Sequence, residues 1–278
     1  MPLSPADFDQ FSAVLAENGV DAALDKLAEQ LRRERQFRQL FEARRMQIRH
    51  RLGLPLDYDD GGDELDEDTR RRLEDGLFAA CREVGLLMLR AGRIREGWMY
   101  LQPVGDRPLV AAELAQIEVD EDNLDELVDV CLNQSVDPIR GFSLILEHYG
   151  TCNAITTFEG GVPTRKREEL QTILGILVRH VHGELLASVK NDIARQEGKQ
   201  PSETSLAELL AERPWLFGEH SYHIDATHLG AAVRFSRATD DPEVAALAYD
   251  LCHRNRPPRC PSRPLRPPAP RPVPVPGG

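Results

Sequence analysis

Residues 81–108 read CREVGLLMLRAGRIREGWMYLQPVGDRP, and the spacing within this stretch decides the fold. Cys81, Val84, Gly85 and Met88 recur at intervals that place them on one face of a helix, which turns once in about 3.6 residues. Gly92 then marks a turn, because glycine takes up left-handed backbone without steric cost. Beyond it Gly97 and Leu101 share a face of a second helix, and the missing side chain at Gly97 lets that helix approach the first. The stretch reads as an α-helical hairpin.

Weaker versions of the same design lie on either side. NLDELVDVCLNQSVDPIRGFSLILEHYG, at 123–150, carries Leu124, Val128 and Leu132 on one helix, then Asp137 and Pro138, then Gly141 in the place of Gly97. THLGAAVRFSRATDDPEVAALAYDLC, at 227–252, repeats it with Leu229, Val233, Asp241, Pro242 and Ala245. GVDAALDKLAEQLRRERQFRQLFEAR, at 19–44, also pairs two helices, with an arginine-rich turn in place of glycine. On these residues the 81–108 segment resembles a tetratricopeptide repeat in its spacing, although Cys81 stands where an aromatic is usual and Gly97 where alanine is usual. Gly97 and Gly141 are 44 residues apart, longer than a standard unit. The resemblance implies an irregular α-solenoid of stacked helical hairpins, whose neighbours must stack to bury their apolar faces and leave a concave surface for a protein or peptide partner. A compact helical domain with unrelated hairpins is the competing architecture.

Composition agrees with an all-α class. The 278 residues are 41% hydrophobic but only 6% aromatic, and Ala, Leu, Glu and Arg recur where helices favour straight-chain side chains. Residues 166–196 carry a single stripe of Leu170, Leu174, Leu177, Val181, Leu185, Val189 and Ile193. Ser205 with Glu208 predicts a capping box, and Pro138 and Pro242, each after an aspartate, predict the first turns of two helices. About ten helices and no strand are expected.

No unbroken apolar run approaches the ~20 residues that cross a bilayer, so no membrane span is expected. MPLSPADFDQFSAV does not read as a secretory signal, and five scattered cysteines without a C-x-x-C pair suit reduced thiols in the cytoplasm. Cys81 and Cys131 are expected in the core. The net charge of −12 is uneven: residues 251–278 hold six arginines and no acid, leaving 28 basic and 46 acidic side chains before them, a balance of −18. Such a body repels a phosphate backbone. Residues 32–51 dissent with eight arginines, but Phe37, Leu40, Phe41, Ile48 and Leu52 at helical spacing predict a helix with one buried side and a solvated basic face.

The pattern divides the chain into N-terminal helical hairpins over 1–54, an acidic linker over 55–68, a helical domain over 69–252 and a disordered Pro/Arg-rich tail over 253–278. The linker places Asp57, Asp59, Gly62 and Asp68 as in a calcium loop, yet Gly61 and Glu64 stand where an oxygen donor and an apolar anchor belong. The tail holds ten of the twenty prolines and the segment RPLRPPAP, which polyproline-binding grooves could read.

Two clusters could carry chemistry, RHVHGE at 179–184 and HSYHIDATH at 220–228. Imidazoles and carboxylates are the ligands of zinc or iron, which makes His180, Glu184, His223, Asp225 and His228 the candidate metal set. His182 is excluded from it because two residues along a helix turn the side chain by about 200°. The plainer expectation is that Asp225 caps a helix in which His228 occupies the first turn. Cys152 lies four residues from His148, but Gly150 between them predicts a helix end and not a dyad. No hydrolase, nucleotide-binding or metalloprotease motif is present. The sequence therefore points to a non-enzymatic scaffold or adaptor that binds a protein or peptide, without cofactor. A metal-binding protein or metal-dependent hydrolase using the candidate set is the alternative. Val84, Met88, Trp98 and Leu101 are expected in helix packing and outside any binding groove.

Overall fold

A computed structural model of the chain describes residues 5–56, 65–217 and 224–252. Helix accounts for about 80% of the described residues, which contain no strand. The chain divides into two compact units, Met1–Ile145 and Leu146–Gly278. The expected tail, the centre of the acidic linker and His223 lie outside the described residues.

The first unit contains α1 (Pro5–Arg33), α2 (Phe37–Arg51), α3 (Glu67–Arg90), α4 (Ile94–Leu101), α5 (Arg107–Leu114), α6 (Leu124–Val128) and α7 (Pro138–Leu144). α1 packs on α2, α2 on α3 and α3 on α4. α3 starts inside the stretch expected as linker because Asp66 caps it, accepting from the Thr69 amide at 3.0 Å. It ends in a Schellman turn: Gly92, at φ 78°, donates to Leu89 O and Arg93 donates to Met88 O, each at 2.9 Å. The same turn closes α1, where Gln36 donates to Leu31 O at 2.9 Å and Arg35 occupies the left-handed position at φ 57°.

α3 and α4 touch backbone to backbone. A Cβ on Gly97 would stand 2.9 Å from Gly85 O and 2.8 Å from Leu89 Cδ2, and one on Gly85 would stand 2.5 Å from Leu101 Cγ. Gly141 repeats the arrangement against the backbone of Leu132, whose nitrogen a Cβ would approach to 2.7 Å. Val84, Met88, Trp98 and Leu101 are all buried, as is Cys131, whose thiol burial pushes up to about 11. Cys81 is only half-buried, a correction to its expected core position.

The arginine-rich helix α2 buries Phe37 and Leu40, while Phe41, Ile48 and Leu52 are half-buried. Much of its basic face is paired with acids of neighbouring helices: Arg44 meets Glu83 at 2.9 Å, Arg38 meets Glu96 at 2.6 Å, and Arg51 lies 3.7 Å from Asp21.

The second unit contains α8 (Gly150–Gly161), α9 (Arg167–Glu197), α10 (Leu206–Ala211), α11 (Ala226–Phe235) and α12 (Pro242–Cys252). With those of the first unit they make twelve α-helices among the described residues, against the ten expected. α9 is the expected long helix, and α8, α10, α11 and α12 pack on it, burying its stripe from Leu174 to Ile193. By length and composition α9 could cross a membrane. A search for unbroken apolar runs misses this, because polar residues interrupt the helix every few positions, and half of its most apolar window is buried within the unit. The capping box at Ser205 and Glu208 forms, and Asp137 and Asp241 cap α7 and α12 ahead of their prolines.

Candidate functional site

On the first unit, the surface of interest is the outer face of α4. The buried positions Ile94, Gly97, Trp98 and Leu101 leave Arg95 and Met99, one turn apart, on the opposite side, and Met99 is 68% exposed. Arg38, Glu96, Met99 and Tyr100 line an open cleft of about 430 Å³. Glu96 anchors it, taking bonds at 2.6 Å from both Arg93 and Arg38, which pull its carboxyl down to about 2. Tyr100 meets Phe41 edge-on at 5.2 Å, and burial pushes its phenol up. The Arg95 amide donates to Glu126 at 3.1 Å, which brings α6 beside this face. Residues 108–139 hold nine acids and no lysine or arginine; of these Glu126 sits at α4, while Glu113 is paired with Arg90. That charge run is plain in the sequence, but the placement of Glu126 against α4 is not.

On the second unit, Gly150 at φ 82° ends the preceding helical turn and redirects the chain into α8, as expected of it. This sets Thr151 and Cys152 at the start of α8. Thr151 Oγ1 donates to Glu184 Oε2 at 3.1 Å and lies 3.0 Å from His180 Nε2. With its single hydrogen given to Glu184, the hydroxyl accepts from His180, so that Nε2 carries a proton. Asp225 caps α11 through the Thr227 amide and hydroxyl, both at 2.7 Å, and the Thr227 bonds, with the nearby His228, hold its carboxyl below the ordinary range. His228 follows in the first turn, with Nε2 2.9 Å from Cys152 Sγ. Thr151, Glu184, Asp225 and His228 line one open cleft of about 580 Å³.

The structure thus brings Glu184, Asp225 and His228 to one cleft, with His180 bonded at its side. Among the described residues no group of three or more His, Cys, Asp or Glu side chains is placed to hold a metal ion. His182 points away from this cleft into the core, where Nε2 bonds Asp250 at 2.9 Å. Sequence reasoning missed Cys152 as a partner of this cluster, weighing it only with His148; its imidazole comes from 76 residues away. Comparison of the chain with family models, with curated proteins and with solved structures finds no match.

Proposed function

We propose that the chain is a non-enzymatic helical-repeat protein of tetratricopeptide-like design, a cytoplasmic scaffold or adaptor that docks a basic segment of another protein on the outer face of α4. The observation that carries this reading is Met99, a large apolar side chain left 68% exposed at a cleft on the helix whose backbone donates to Glu126 of α6. Repeated hairpin ends at Arg35 and Gly92, and the packing of each early helix on its successor, support the repeat. Residues 1–145 carry 30 acidic and 18 basic side chains, so a lysine- or arginine-rich partner is the one that long-range electrostatics would steer here.

Tyr249, on the second unit, is 67% exposed and provides a matched control. A photo-crosslinking amino acid is placed at position 99 or at position 249 of the full chain, and crosslinked segments from native cytoplasm are sequenced. Position 99 should capture basic segments carrying an apolar anchor, with capture lost in the presence of competing poly-lysine. Equal yields at the two positions, or acidic segments at position 99, would overturn the proposal.

A further inference from the structure

Four cysteines are described, and they differ sharply in access. Cys131 is buried, Cys81 and Cys252 are half-buried, and Cys152 is exposed. Cys152 is also the one whose sulfur touches an imidazole, with Sγ and His228 Nε2 2.9 Å apart. A thiol attacks as its thiolate, so a base within hydrogen-bond reach of Sγ supplies what the reaction needs. The adjoining cleft is open, large enough for a small organic molecule, and lined by the carboxylates of Glu184 and Asp225. Among the described residues neither carboxylate takes a bond from lysine or arginine; their partners there are Thr151 with His180, and Thr227. A negative cleft beside a paired thiol selects cationic reagents.

We infer that Cys152 and His228 form a thiol-exchange site that takes small cationic disulfides. In the step itself, His228 Nε2 accepts the thiol proton as Cys152 Sγ attacks one sulfur of the disulfide. A new S–S bond forms to Cys152, the original S–S bond breaks, and the departing sulfur leaves as a thiolate that takes the proton from Nε2. Cys152 is oxidised to a mixed disulfide and the departing half is reduced to a free thiol, so the disulfide is the only oxidant required. The site is modified once per chain and does not turn over.

The test uses the full chain with cystamine, which is dicationic, oxidised glutathione, which is anionic, and neutral hydroxyethyl disulfide. Thiolation of each cysteine is followed by peptide mass mapping, and each rate is normalised to the same cysteine in urea. Cys152 should react about tenfold or more faster than Cys252, and His228→Gln should remove that advantage with all three reagents. Cystamine should outpace glutathione disulfide at Cys152 by on the order of tenfold at low salt, with the gap narrowing as salt rises. Glu184→Gln, which keeps the shape of the cleft, should shrink the preference for cystamine over glutathione disulfide. A Cys152 rate equal to that of Cys252, an unchanged rate in His228→Gln, or equal rates with cystamine and glutathione disulfide would each overturn the assignment.

Discussion

Asp250→Ala removes the joint that fastens α12 to α9 and α10. The carboxylate accepts from His182 Nε2 at 2.9 Å, from the Leu206 amide at 2.9 Å and from the Ala207 amide at 3.0 Å. Its side chain is 14% exposed and that of His182 10%. Bonds to a charged group net about 1.5–3 kcal/mol each, and removing one partner of a buried pair costs about 3–5 kcal/mol. Water reaches part of this carboxylate, and the Ser205–Glu208 box still satisfies one amide of α10. The lower end, about 3 kcal/mol, is therefore expected for Asp250→Ala, and about half of that for Asp250→Asn, which keeps one acceptor oxygen.

The pH dependence has a definite sign. Burial alone would lift the Asp250 carboxyl, but the bonds from His182, Leu206 and Ala207 outweigh it and hold the folded value below the ordinary one. A depressed folded value gives stability that is complete above the unfolded value of about 3.9 and is lost as pH falls through the folded one. The gap between the natural chain and Asp250→Asn should therefore narrow below about pH 4. Urea unfolding followed by circular dichroism at pH 7 and pH 3 measures both effects, and hydrogen exchange at the Leu206 and Ala207 amides localises them. A cost below about 1 kcal/mol in Asp250→Ala, with both amides as protected as before, would refute the reasoning.

What the sequence made legible was local. Ser205 with Glu208, Asp137 with Pro138, Asp241 with Pro242, and Asp225 ahead of His228 each concern groups within three residues, and each forms as read. Helical periodicity also separated His180 from His182, which face the Thr151 cluster and the core respectively. Periodicity says which residues share a face but not what that face meets. Asp250 is 68 residues from His182, Glu96 is 58 from Arg38, and Cys152 is 76 from His228. The wide π turns at Asp129–Asn133 and Ile145–Tyr149 escaped for a related reason: they shift the facing of later residues without any change in composition. Of the metal set His180, Glu184, His223, Asp225 and His228, His223 lies outside the described residues, and among the described residues no three His, Cys, Asp or Glu side chains are placed to hold a metal ion.

Two substitutions test the hairpins themselves. Arg35→Gly places glycine where α1 already demands left-handed backbone, so it should raise stability, by up to about 1 kcal/mol once the added freedom of the unfolded chain is counted. Urea unfolding of the variant showing a loss would mean that the arginine side chain holds the turn. Gly97→Ala tests the α3–α4 contact, and two effects oppose each other there. Alanine favours a helix over glycine by about 1 kcal/mol, so at an exposed site the change would stabilise. At this site the new Cβ meets the buried Leu89 side chain at 2.8 Å and Gly85 O at 2.9 Å, which cannot move without separating the two helix backbones. Overpacking of this kind costs about 1–3 kcal/mol, and Gly97→Val, with two further carbons directed at the same backbone, should exceed that range. The contact decides the outcome if Gly97→Ala is net destabilising in urea and Gly85→Ala behaves alike. A more stable Gly97→Ala chain would mean that the two helices part freely, and that the close approach read from residues 81–108 does not hold the hairpin together.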